Sequence, residues 1–358
     1  MMRLIRARID SAALRANLKT VRSCAPNSRV MAVVKANAYG HGLVPSALGL
    51  IDADAFAVAR LEEAIALRTA GLRHRITLLE GVFDAAQLAE AARHQFDLVI
   101  HQPIQIELLE SFRGSQRWSL WLKVDTGMNR LGFRPEEFRA AWRRLQALPI
   151  PPAELRVLTH LASSDEVDQA ITARQLERLQ TLLAGLDVEL SIANSAGVLA
   201  QPSTHSAWVR PGLALYGISP FPNRVGSQLG LKAVMTLESC VIATREVLAG
   251  EQVGYGGAWT AQRRTVIAIV AAGYGDGVPR SLPNGTPVLI GGHRGSLVGR
   301  VSMDMLAVDV TDLPSVAVGE RVELWGPHLP VEELALGAGT IPYELVCGVS
   351  QRVPIELV

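Results

Sequence analysis

Between Met31 and Gly217 the chain repeats one pattern: a short apolar, β-branched run, a corner of Gly, Pro or polar residues, then an amphipathic stretch of ten or more residues. That alternation commits this part of the chain to parallel strands joined by helices. The expected strands are MAVVKAN (31–37), AFAVAR (55–60), RITLLEG (75–81), FDLVIH (96–101), WSLWLKVDT (118–126), RVLTHLA (156–162), VELSIANS (188–195) and VRPGLALYG (209–217). Eight units over about 187 residues average roughly 23 residues each, which suits a (β/α)8 barrel of TIM type. The other reading, an open doubly wound sheet, calls for a GxGxxG turn after the first strand, and none is seen.

From about Leu231 the texture changes to short strands and Gly corners, as in TVIAIVAAGYG, TPVLIGG and RVELWG, which reads as a mostly β second domain. The expected division is a barrel over 1–230 and a β domain over 231–358, with the break in the Pro- and Gly-containing loop Ser219–Gly230. RLIRARID also alternates like a strand, so residues 2–9 are candidates to pair with the second domain before Ser11 caps the first helix.

Composition narrows the function classes. Lys plus Arg number 35 against 34 Asp plus Glu, a net charge of +1 without long runs of like charge, which argues against nucleic acid or an anionic membrane as main partner. Apolar runs such as Val266–Ala272 are too short to cross a bilayer, and the N-terminus lacks the apolar core of a secretory signal. Cys24, Cys240 and Cys347 are too few and too scattered for a disulfide framework or a zinc site, so no metal is expected and the chain reads as a soluble, cytoplasmic protein.

Active sites of such barrels gather at the C-terminal ends of the strands. The polar residues there are Lys35, Arg60, Glu80, His101, Lys123 with Asp125, His160, Asn194 with Ser195, and Arg210 with Gly212. In AVVKANAYGHG, Lys35 leaves a buried strand, Tyr39 follows four residues on, and Gly40 and Gly42 flank His41. A lysine desolvated at a barrel mouth is an amine suited to a Schiff base.

This segment resembles the pyridoxal phosphate lysine motif of the alanine racemase family, whose members have a barrel followed by a β domain. The resemblance implies a pyridoxal 5'-phosphate (PLP) isomerase that interconverts L- and D-alanine, with Lys35 carrying the cofactor as a Schiff base and Tyr39 bonding its phosphate. It continues in order along both domains. LKVDTGMNRLGF resembles the segment whose arginine, here Arg130, meets the cofactor's phenolic oxygen and the substrate carboxylate. Lys123 matches a lysine that is carbamylated in many members and braces that arginine; a plain ion pair is the other reading. His160 matches a histidine beside the cofactor. Asn194, Ser195, Arg210, Gly212 and Leu213 resemble the phosphate cup and its approach, with Arg210 facing the pyridine nitrogen, where a permanently protonated guanidinium only donates.

Racemisation needs an acid/base group on each face of the Cα. Lys35 would be one; by resemblance the other is Tyr255 of EQVGYGGAWTA, acting across a homodimer interface so that each site is shared. Met303 and Asp304 of GRVSMDM match residues around the substrate. Tyr343 matches a tyrosine on the phosphate, Tyr274 an inner gate, and Asp165, Arg280 and Arg300 the charged entry corridor. Gly275, Val278, Leu161 and Ser302 depart from the family's usual residues, which bears on the shape of the entrance and not on the reaction class. The implied role is D-alanine supply for peptidoglycan precursors, or alanine catabolism. A broader-specificity racemase is the alternative within the class. A fold-related PLP decarboxylase of basic amino acids would carry an acidic partner for the pyridine nitrogen, and a vitamin B6 binding protein would lack the second domain.

Overall fold

The computed structural model describes residues 4–166 and 168–358. Residues 2 and 3 of the expected first strand lie outside the described residues.

Eight parallel strands close into a barrel: β2 (Arg29–Val33), β3 (Ala55–Val58), β4 (Arg75–Leu78), β5 (Asp97–Ile100), β6 (Ser119–Lys123), β7 (Glu154–Leu158), β8 (Leu190–Ser191) and β9 (Trp208–Val209). Val30 pairs with Val209 to complete the ring. All eight expected strands are present, but each is shorter than its apolar run. The chain leaves extended geometry early at the C-terminal end, because the residues there bend into the loops that carry polar groups. The clearest cases are VELSIANS, where Asn194 caps a short helix Ser195–Ala200, and VRPGLALYG, which turns into a 3-10 helix over Leu213–Tyr216.

β1 (Arg6–Ile9) does not join the barrel. It pairs antiparallel with β10 (Met235–Val247) and parallel with β18 (Ile355–Leu357). The helix Ser11–Cys24 follows, and its cap differs from expectation: Asp10 accepts from the amides of Ala12 (2.8 Å) and Ala13 (2.9 Å). Ser11 is the first helical residue, and its hydroxyl donates instead to the Val358 carbonyl at 3.1 Å. A carboxylate reaches two orphan amides from that position, which a hydroxyl one residue further on does not.

The remaining strands are a small hairpin of β11 (Gln252–Val253) and β12 (Trp259–Thr260), then β13 (Thr265–Val270), β14 (Pro287–Ile290), β15 (His293–Val298), β16 (Leu306–Asp309) and β17 (Arg321–Trp325). β13 to β17 form with β1, β10 and β18 one sheet in the order β13-β16-β15-β14-β17-β10-β1-β18, separate from the hairpin, and β13 also pairs with β10, so the sheet curls back on itself. Two helices, Val331–Ala338 and Pro342–Cys347, complete this part. The second packs against the segment after Lys35. Gly40 is required there: its φ is +79°, and a Cβ would lie 1.9 Å from the Val346 carbonyl oxygen. This contact brings residues of the β domain to the barrel mouth.

Candidate active site

Lys35 lies two residues beyond the end of β2, and the next four residues, Ala36, Asn37, Ala38 and Tyr39, all have φ between 53° and 54°. A left-handed run of non-glycine residues costs roughly 1–2 kcal/mol each. It persists because its neighbours hold it. The Glu63 carboxylate accepts from the amides of Ala36 (2.6 Å), Ala59 (3.1 Å) and Arg60 (3.1 Å), and the Asn37 side-chain oxygen accepts from Leu43 (2.9 Å). The Tyr39 ring stacks near Tyr216 at 4.9 Å and Tyr343 at 5.8 Å between centroids.

Lys35 and Tyr39 open onto a cavity of about 540 Å³ at the C-terminal ends of the strands. Lys123, Arg130 and His160 line it, as do Asn194, Ser195, Arg210, Gly212, Leu213 and Tyr343. These are the residues the family resemblance assigned to the cofactor and its supports, drawn from strand ends far apart in sequence. Their electrostatics are those of a cationic pocket. Burial, with the charges of Arg210, Arg130 and Lys35, pushes the Lys123 ammonium down to about 8. Burial and the same cations together with Lys123 push His160 down to about 3, so its ring is neutral. Asp125, whose carboxylate accepts from the amides of Gly127 (2.9 Å) and Asn129 (3.0 Å), opposes these effects on Lys123 only in part. Such a pocket fits an anionic ligand.

Two observations fit PLP in particular. Arg210 is buried and donates through Nη2 to the carbonyls of Thr159 (2.5 Å) and Ile192 (3.4 Å), while Nη1 is buried without a partner among the described residues. Burial lowers its pKa to about 10, which leaves it protonated at neutral pH with one donor to give. Gly212 is the second: a Cβ there would lie 2.4 Å from the Tyr39 hydroxyl, so only glycine lets that phenol reach the backbone of the cup. Ser195 Oγ accepts from the amides of Gly212 (3.0 Å) and Ala214 (3.1 Å), which leaves its own hydroxyl hydrogen to donate. Tyr343 is pushed up to about 12 by burial and by Asp165, so it too is a donor at neutral pH.

The remaining predicted residues stand elsewhere. Tyr255, Tyr274, Met303 and Asp304 belong to the β domain, and none lines the Lys35 cavity. Tyr255 is 68% exposed, on the turn between β11 and β12. The amides of Tyr274 and Gly275 donate to the Ser302 and Met303 carbonyls (3.0 and 2.9 Å), so the expected gate and the expected substrate segment form one unit. Arg352 braces it, pairing with Asp276 and Asp304 at 2.8 Å each. Arg300 joins this face, with Nη1 3.7 Å from where a Cβ of Gly256 would lie. Asp165 is on the barrel side within electrostatic range of Tyr343, and Arg280 lies in the loop after the Tyr274 turn.

The sequence reading missed Glu63 and Arg352 as supports, and Cys347 and Leu131 as walls of the cavity, whereas Glu80, expected at a strand end, does line it. For Glu63 a signal was present, a glutamate in the first turn of the helix Leu61–Thr69, where it reaches back to amides. Among the described residues no helix is long and apolar enough to cross a membrane, and no cluster of His, Cys, Asp or Glu is placed to hold a metal.

Comparison with known proteins agrees with this arrangement. Residues 9–220 match the family model described as alanine racemase, N-terminal domain, and residues 234–357 match alanine racemase, C-terminal domain. An alanine racemase of Shewanella amazonensis is 49% identical over 358 residues, covering 98% of each chain. One from Azoarcus sp. is 50% identical over 353 residues, covering 98% of this chain and 99% of the relative. Among solved structures, the biosynthetic alanine racemase of Pseudomonas aeruginosa superposes with a TM-score of 0.96 at 46% identity, each chain covered completely. The Bartonella henselae enzyme, described with covalently bound pyridoxal phosphate, gives 0.90 at 31% identity, again with complete coverage.

Proposed function

The chain belongs to the alanine racemase family of PLP-dependent isomerases, which interconvert L- and D-alanine, and we propose that it works as a homodimer whose active sites each combine Lys35 of one subunit with Tyr255 of the partner subunit. The observation that carries this reading is the separation itself. Lys35 sits in a cationic cavity of one chain, while Tyr255 stands 68% exposed on the other domain, in a turn whose Gly254 and Gly256 lie against Arg300. A single subunit therefore offers an acid/base group for only one face of the substrate carbon.

Lys35 would carry the cofactor, and Tyr39, Ser195, Leu213 and Tyr343 would hold its phosphate through hydrogen bonds to an anion. When bound, PLP supplies the electron sink that acidifies the substrate Cα–H. Arg210, through its free Nη1, would donate to the ring nitrogen and keep it unprotonated, which moderates that sink and disfavours side reactions. Arg130 would hold the substrate carboxylate, steadied by Lys123, with His160 as a neutral neighbour. The Lys35 amine then takes or returns the proton on one face and the Tyr255 phenol does so on the other. Met303 and Asp304 bound the small substrate, and Tyr274, Asp165, Arg280 and Arg300 form its entrance.

The domain division at 230/231 follows from the same reading, with the second unit serving the partner's site. Likeness to the biosynthetic Pseudomonas enzyme supports D-alanine supply for cell-wall precursors, and three free cysteines support a cytoplasmic setting.

Mixing Lys35→Ala with Tyr255→Phe subunits tests the shared site. Each homodimer should be nearly inactive, whereas random reassortment restores about a quarter of wild-type activity, because half the dimers are mixed and each has one intact site. No recovery after verified subunit exchange overturns the shared arrangement.

A further inference from the structure

At the end of the barrel opposite Lys35, the loops leading into β4, β5 and β6 surround a second cavity of about 600 Å³. Arg68, Arg73, Arg75, Arg93 and Arg117 line it, and Asp97 is the acidic residue among its walls. The chain as a whole carries only +1, so this concentration of cations is local.

Partner accounting separates the five. Arg75 is neutralised, bonded to Asp97 at 2.9 Å and to Glu154. Arg68 gives its donors to the carbonyls of His94 (3.2 Å), Leu72 (2.7 Å) and His74 (3.0 Å). Arg93 meets Glu90 at 3.3 Å in a solvent-exposed pair of the same helix, which contributes little. Arg73 and Arg117 have no ion pair or side-chain hydrogen bond among the described residues. Burial and the neighbouring charge of Arg73 lower the pKa of Arg68, and Asp97, already bonded to Arg75, offsets them only in part.

We propose that this basal cavity binds a small phosphate-bearing anion through Arg73 and Arg117, with Arg68 and Arg93 at its sides. Guanidinium forks match tetrahedral oxyanions in pairs, which lysines do not. Three rings line it, and each is already engaged: Phe96 lies beneath the Arg68 guanidinium at 5.4 Å, His94 stacks on Phe96 at 5.5 Å, and His74 packs edge-on to Phe56 at 5.1 Å, so no ring is free on both faces to stack a base. That favours inorganic phosphate, diphosphate or a sugar phosphate over a nucleotide. The site is remote from the Lys35 cavity and independent of the racemase chemistry.

Calorimetric titration of the holoenzyme, in low-salt buffer free of phosphate, with inorganic phosphate, diphosphate and ribose 5-phosphate tests this. The expected result is saturable binding of one anion per chain, weakened by added salt, and weakened by about tenfold or more in the double variant Arg73→Gln, Arg117→Gln. Racemisation by that variant should match wild type. Tighter binding of the sugar phosphate assigns the site to a phosphorylated metabolite; tighter binding of phosphate or diphosphate assigns it to the free anion. Absence of saturable binding up to about 10 mM, or equal binding by the double variant, overturns the proposal.

Discussion

The Glu63 carboxylate accepts a 2.6 Å hydrogen bond from the amide of Ala36, the residue directly after Lys35, and so ties the first turn beyond β2 to the helix after β3. This bond holds the start of a left-handed segment that would otherwise relax. Glu63→Ala should therefore loosen Lys35 without removing any reactive group. The expected outcome is a fall in kcat of about tenfold with weaker cofactor retention, and Glu63→Gln should recover part of both. Steady-state kinetics with bound-cofactor absorbance checks this; wild-type values for the alanine variant would remove Glu63 from the positioning scheme.

Gly212→Ala places a methyl group 2.4 Å from the present position of the Tyr39 hydroxyl. Tyr39 is packed against Tyr216 and Tyr343, so it has little room to retreat. Cofactor affinity should drop by about tenfold or more while the fold survives, because the clash involves one side-chain tip. Equilibrium reconstitution of the apoprotein with PLP, followed by circular dichroism, separates the two effects.

Lys123, with its pKa pushed down to about 8 by burial and by Arg210, Arg130 and Lys35, has a large neutral fraction at mildly alkaline pH. Its amine can add to carbon dioxide, forming an N–C bond and releasing one proton to give a carbamate anion. No carboxylate among the described residues pairs with Arg130, which leaves that guanidinium for such an anion. Protein equilibrated with carbon-13-labelled bicarbonate should show a carbamate resonance that is absent in Lys123→Met. Identical spectra would place the lysine as a plain cation.

His41 is fully buried, donates from Nδ1 to the carbonyls of Tyr39 (2.8 Å) and Ala38 (3.1 Å), and stacks on Tyr216 at 4.6 Å. Burial pushes its pKa down to about 4 in the folded state. The unfolded chain, near 6.5, takes the proton first on acidification, so this contribution is complete above about pH 6.5 and is lost as pH falls towards 4. The loss amounts to at most about 3 kcal/mol. Urea midpoints measured between pH 8 and 4 at fixed protein concentration should fall less steeply for His41→Asn than for wild type. His160, displaced in the same direction, keeps some slope in the variant.

The order of the barrel strands and their number were legible in the sequence, because burial on both faces of a parallel strand leaves an apolar run in the chain. The residues proposed to react were singled out for a different reason. Lys35, Arg130, Arg210 and Tyr255 sit in motifs whose neighbours are constrained by backbone geometry, as at Gly40 and Gly212, and so resemble a known family segment by segment.

What the sequence did not contain is which groups meet. The left-handed turn after Lys35 is invisible to propensity, since alanine and tyrosine favour other conformations and tertiary contacts such as those of Glu63 and the helix Pro342–Cys347 hold it. The capping role passed from Ser11 to Asp10 because side-chain reach, not residue class, selects the donor pair. The unsatisfied Nη1 of Arg210, the burial and cationic field that keep His160 neutral, and the basic cavity around Arg73 and Arg117 arise from residues tens of positions apart. Strand periodicity is a local property written along the chain, whereas charge balance and hydrogen-bond satisfaction are sums over neighbours in space, and these only the folded barrel assembles.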